Sequence, residues 1–281
     1  MKKYTIFATL LITLLVGCTK TEIQEVGADQ GNTLQVRFDN QYGNQDFELK
    51  KRYAYQASNQ SVEADFEIAF DRLRYWVSNV KLISSTGEEF AVPEAYYLIE
   101  ETGEVVVQHL VTSNIYPATK RDEITIKNIP SGTYTGLKFS IGVDPEYNDN
   151  ITLTAGELGL LKGMGFSDGW MWFTSYIFQK LDAQMYVGTE TKSLRWDSGS
   201  NALYDGAEKT VNFANAITLD HSKGVKVDFK VDIQQLLSTT TTNPWVDNVI
   251  SQSRPDMMVQ FRDALLQKAI VLGDVTNSST N

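Results

Sequence analysis

The side chains best suited to special chemistry in this 281-residue chain are one cysteine, two histidines, six methionines and five tryptophans. Cys18 stands behind Lys2-Lys3, the apolar run Ile6 to Val16, and Gly17. A basic start, a short apolar core and a small residue before a cysteine form a secretory leader of the lipoprotein type. The run is shorter than the roughly 20 apolar residues of a membrane-spanning helix. Cys18 is therefore expected to carry the lipid and to open the mature chain. As the sole cysteine it has no intrachain disulfide partner. Because two or more acyl chains hold a protein firmly on a bilayer, the expected partner is a membrane and the expected location is the cell envelope. Thr19-Lys20 carries no inner-membrane retention signal, which favours the outer membrane.

Metal chemistry has thinner support. Imidazole is the usual nitrogen ligand of copper, and the chain offers only His109 and His221. Met164, Met171 and Met185 are soft thioether candidates for copper(I) but fill cores more often. The stretch Asp144-Pro145-Glu146-Tyr147-Asn148 places Asp144, Glu146 and Asn148 at alternate positions, an oxygen set of the kind calcium takes. It departs from the EF-hand loop, with Asp149 at the glycine position and Ala155 at the closing glutamate; a solvated turn explains it as well. Trp170, Trp172 and Trp196 are candidate contacts for a ligand. Trp196 stands out because its neighbours are polar.

Catalytic signatures are thin. No His-Glu-x-x-His or phosphate-loop stretch occurs, so the expectation is a protein that is not an enzyme. A net charge of −10 argues against nucleic acid as a partner.

The elements that must position these residues read mostly as strands. Leu34, Val36 and Phe38 alternate with polar residues, as do Phe66, Ile68 and Phe70. Val225, Val227, Phe229, Val231 and Ile233 give the clearest case. Successive strand side chains face opposite ways, so each run has one buried face. Turn signals at Ser85-Thr86-Gly87, Glu101-Thr102-Gly103, Pro130-Ser131-Gly132 and Ser222-Lys223-Gly224 separate them. The segment from Trp170 to Asp182 is apolar on both faces and predicts a central strand covered on both sides. Thr154 to Met164 predicts a short helix, Ala155 through Leu161. Gly188 to Lys209 predicts a long polar loop. From Asn243 onward, Pro244, Pro255, Met257, Met258, Phe261, Ala264 and Leu265 predict helix, and Thr276 to Asn281 a frayed end.

Several ordered stretches resemble the MbnP-like family. They are Arg74-Tyr75-Trp76-Val77-Ser78-Asn79-Val80-Lys81-Leu82, Tyr96-Tyr97-Leu98-Ile99, Ile129-Pro130-Ser131-Gly132-Thr133-Tyr134 and Leu137 to Asp144. After them comes Trp170-Met171-Trp172 with Tyr176-Ile177-Phe178-Gln179-Lys180-Leu181-Asp182. The resemblance spans about Leu34 to Leu237. It implies a secreted β-sandwich, a copper site built from histidines and an oxidised tryptophan (kynurenine), and a dihaem peroxidase-like partner that performs the oxidation. The chain departs from the pattern at the ligands. Tyr97 stands where many relatives carry a histidine, and Leu194-Arg195-Trp196-Asp197-Ser198-Gly199 has none where another is carried.

Together these features predict an all-β fold: an antiparallel β-sandwich, immunoglobulin-like or related, with short helices and a helical C-terminal extension. The boundaries are a leader at 1–17, a tether at 18–32, the sandwich at 33–237 and the extension at 243–272. The expected function is an envelope lipoprotein in which copper or other metal binding is lost or altered. The alternative is a surface module for proteins or glycans that contacts them through the 188–209 loop and Trp196.

Overall fold

The computed structural model describes residues 31–55, 66–109, 112–150, 152–165, 170, 175–221, 223–238 and 243–279. Cys18, the leader, Met171 and Trp172 lie outside the described residues.

Along the chain the strands are β1 (Asn32–Tyr42), β2 (Gln45–Asp46), β3 (Arg52–Tyr55), β4 (Phe66–Ser84), β5 (Glu89–Ala91) and β6 (Tyr96–Thr102). There follow β7 (Val105–His109), β8 (Thr112–Tyr116), β9 (Thr119–Arg121), β10 (Glu123–Ile129) and β11 (Gly132–Ile141). Beyond the loops come β12 (Gln179–Val187), β13 (Glu190–Ser198), β14 (Glu208–Leu219), β15 (Lys223–Asp232), β16 (Val249–Ile250) and β17 (Ile270–Ser279). Helices are short: α1 (Pro145–Asn148), α2 (Asn201–Tyr204), α3 (Ile233–Ser238) and α4 (Pro255–Asp263), with a 3-10 turn at Leu160–Lys162 and a π turn at Ala264–Ala269.

The strands form a β-sandwich. One sheet runs β10-β1-β15-β17. The larger runs β14-β11-β4-β12-β13-β16, with β3, β5 and β6 on the other edge of β4. The hairpin β7–β8 stands as a separate sheet. The period-two runs face the interior as their alternation predicts: Leu34, Val36 and Phe38 are buried, and so are Val225, Val227 and Phe229. Phe38 ties the sheets together. It stacks on Phe229 of its own sheet at 5.2 Å and meets Phe139 and Tyr75 of the other sheet edge-on at 5.7 and 6.2 Å. The pairing is mainly antiparallel, but β1 and β15 pair in parallel, a departure from a purely antiparallel sandwich.

Since Tyr75 faces inward, Arg72, Arg74, Trp76 and Ser78 project from the outer face of β4. That face is not left to water. Arg74, Trp76 and Ser78 are all 0% exposed, covered in part by the 3-10 turn and by Tyr116 of β8.

Five expectations need correction. Trp170 and residues 175–178 are not part of a strand; the ladder opens only at Gln179. The reason is local. Tyr176 N–H is taken by the Asn148 side chain at 2.8 Å and Ile177 N–H by the Met164 carbonyl at 2.9 Å, so loops satisfy the backbone there. The stretch 188–209 is not a loop but holds β13 and α2, because Leu194 and Trp196 alternate inward between the polar residues. The helix over 155–161 shrinks to the 3-10 turn. The C-terminal part is helical only from Pro255 to Ala269. It then becomes β17, which pairs with β15 as far as Ser279, so the tail at 276–279 is not frayed.

Candidate binding site on the outer face of the larger sheet

Two neighbourhoods gather the motif residues. The first is the corner where α1 meets α2. Asp144 caps α1: its Oδ1 accepts from Glu146 N–H at 3.2 Å, and its Oδ2 accepts from the Tyr96 hydroxyl. Asn148 is buried. Its Oδ1 accepts from Tyr176 N–H, while its Nδ2 donates to Asn201 Oδ1 at 2.8 Å. Asn201 in turn donates to Asp149 Oδ1 at 2.7 Å. Trp170 lies in this corner with its Nε1–H on Ser175 Oγ at 3.3 Å. Gly199 is required here, since a Cβ would stand 2.3 Å from the Tyr176 carbonyl and 3.1 Å from the Trp170 ring. The calcium set therefore does not converge. The oxygens of Asp144 and Asn148 are spent on the protein itself, and Glu146 points to solvent.

The second neighbourhood is a row of buried charges. Register places Glu100 opposite Arg74, Arg74 opposite Lys180, and Lys180 opposite Asp197. Each of the four is at most 2% exposed. Arg74 Nε donates to Glu100 Oε2 at 2.8 Å and its Nη2 to the Lys162 carbonyl at 2.6 Å. The Tyr116 ring covers the guanidinium at 4.9 Å, and its hydroxyl donates to Glu100. Lys180 Nζ lies 2.8 Å from Asp197 Oδ1 and 3.7 Å from Asp182 Oδ2. Arg195 Nε holds Asp197 Oδ2 at 2.7 Å, and Arg72 holds Asp182 at 3.3 Å. Beside the row opens a groove of about 380 Å³ lined by Asp71, Lys180, Asp182, Gln184, Ser193 and Arg195.

Burial sets the protonation of these groups. It lowers the Arg74 pKa against the pull of Glu100. It raises the Asp182 carboxyl against Lys180, and it pushes Tyr116 up to about 12 with help from the Glu100 hydrogen bond. Glu157, which ties the loop before the 3-10 turn to β6, goes the other way. Burial raises it, but hydrogen bonds from Arg121 and Leu98 N–H prevail and leave it below the usual range. A carboxyl lowered by folding adds stability above its unfolded pKa and loses it as pH falls through the folded value. Asp182, raised by folding, contributes with the opposite sign. Glu157→Gln is thus expected to lower the urea midpoint at pH 7 and to matter little near pH 3. Equal losses at both pH values would refute this assignment.

The other candidates are dispersed. His221 sits exposed on the turn between β14 and β15 in a left-handed conformation (φ 63°). Its backbone N–H donates to Asn32 Oδ1. His109 ends β7 in the separate hairpin, and its side chain lies outside the described residues. Trp196 is 0% exposed, edge-on to Phe261 at 5.5 Å with its Nε1–H on the Asp247 carbonyl at 2.9 Å. It is packed in the core. What sequence reasoning missed is the charged row. The available signal was a lysine and an aspartate among apolar residues, Lys180 within an otherwise apolar run and Asp197 beside Trp196.

Facing sheets with a covered outer layer, stiffened by buried ion pairs, define a β-sandwich domain. The chain belongs to the MbnP family, whose sequence model matches residues 31–254. It is also similar to the structure of MbnP from Methylosinus trichosporium, with 13% identity, 73% of this chain and 77% of that chain covered, and a TM-score of 0.43. No curated protein matches it.

Copper is the metal the family resemblance implies. The described donors do not fit a histidine-built copper cage. His109 and His221 sit on elements that share no strand pairing, and Tyr97 is a half-buried phenol packed on the core. Among the described residues no group of three or more His, Cys, Asp or Glu could hold a metal ion.

Proposed function

We propose that this protein is a lipid-anchored, non-catalytic binding domain of the bacterial cell envelope in which the copper chemistry of its family is lost or altered. The observation that carries the anchor is the lone cysteine, Cys18, directly behind a basic and apolar leader. The altered metal chemistry follows from the donor set. A copper centre needs ligands fixed together in space, and this chain offers only two histidines, one at the end of β7 and one on the turn before β15. Without that cage, the tryptophans at positions 170 and 172 have no reason to be oxidised, and the dihaem peroxidase-like partner is not called for. The groove beside the charged row, rather than Trp196, is the surface left for a polar ligand or partner.

One experiment on the chain from its native host tests both halves. The wild type should partition with membranes and Cys18→Ser should be released to the soluble fraction. The purified protein should carry far less than one equivalent of copper, with peptides containing Trp170 and Trp172 at their unmodified mass. Stoichiometric copper or a kynurenine mass shift sinks the metal half. Membrane retention of Cys18→Ser sinks the anchor.

A further inference from the structure

We propose that Lys180 and Asp197 join covalently through a side-chain amide, an isopeptide bond across the β12–β13 hairpin. The two residues are register partners, and directly opposed side chains start about 5 Å apart at Cβ. Lys180 Nζ already touches the Asp197 carboxyl at 2.8 Å, with side chains 0% and 2% exposed. Reactants held in contact gain the advantage of an intramolecular reaction. Burial of both reacting side chains also limits the water that would hydrolyse the product.

The neighbours supply the remaining parts. Asp182 Oδ2 is 3.7 Å from Lys180 Nζ. Its buried Oδ1 makes no hydrogen bond, and burial favours its protonated form, so it can take up and return a proton. Arg195 Nε lies on Asp197 Oδ2 at 2.7 Å, placed to hold the negative charge that develops on that oxygen.

The step balances without any outside reagent. Asp182 takes one proton from the Lys180 ammonium and passes it to Asp197 Oδ1. The free amine attacks Asp197 Cγ, forming the C–N bond and an adduct whose oxyanion rests on Arg195. Asp182 removes a second proton from nitrogen and delivers it to Oδ1. The C–Oδ1 bond breaks, Oδ1 leaves as water, and Asp182 returns to its starting state. Nothing is oxidised or reduced.

Tryptic mapping of the purified full-length chain decides the matter. An acylated Lys180 is not cut, so the expected product is segment 163–192 intact at Lys180, joined to segment 196–209 and lighter than their sum by one water. Separate peptides 163–180, 181–192 and 196–209 at full yield would overturn the proposal. Asp182→Asn keeps both reacting side chains. In folded protein of that variant, verified by circular dichroism, the joined product should drop at least several-fold; an unchanged yield would overturn the role given to Asp182.

Discussion

Ending the chain after Arg254, where the match to the family stops, is expected to abolish the folded state. The residues removed contribute Met257, Met258, Phe261, Ala264, Leu265, Leu266, Ala269 and Ile270, all at most 4% exposed. A fully buried side chain of this size is worth about 1.5–3 kcal/mol, so the loss is on the order of 10 kcal/mol or more. Whole domains are stable by only about 5–15 kcal/mol. The cut also strips Phe261 from Trp196 and leaves β15 without the neighbour it pairs with along β17. A bare strand edge is a template for aggregation. Circular dichroism and size exclusion of the shortened protein give the answer, and a cooperative, monomeric, native-like product would show that 255–281 is an appendage after all.

Arg74→Leu is expected to cost about 3–5 kcal/mol, the loss typical when one member of a buried ion pair is removed. Glu100 would then keep a carboxylate at 3% side-chain exposure with no guanidinium beside it. The Lys162 carbonyl would lose its donor and Tyr116 its stacking partner. The double variant Arg74→Leu, Glu100→Leu separates the causes. Replacing a whole buried pair by apolar groups is often close to neutral, so it should recover a large part of the loss in urea unfolding. A double variant as unstable as the single one would mean that packing around Arg74, not its charge, is what matters.

The sandwich was legible because its strands obey a simple rule. Where one face is buried and the other wet, alternation appears, as in β1 and β15. It failed where burial and polarity part company. Asp197 is polar yet buried, because Lys180 neutralises it across the hairpin; that pairing is invisible along a single strand, and β13 consequently resembles a loop. The segment before β12 has the opposite defect. Its apolar faces predict a strand, but the Asn148 side chain and the Met164 carbonyl occupy backbone donors that a ladder would need. In β17 the alternation is interrupted at Gly273, opposite the irregularity between Val227 and Phe229, where a Cβ would meet the Asp228 carbonyl at 3.0 Å. The candidate site suffered most. Its members come from β4, β6, β12 and β13, and only register brings them to one line.

The parallel pairing of β1 with β15 has a kinetic side. Leu34 lies opposite Val225, so one edge of the first strand, the one not taken by β10, waits for a partner some 190 positions later. Contacts of such long range slow the search for the native topology. A chain exported N-terminus first, as the proposed anchor requires, would hold that edge of β1 unpaired until nearly all of the domain had emerged. The interval exposes an apolar, strand-forming segment, and a holding chaperone on the receiving side of the membrane should raise the yield of folded protein more than it raises the rate.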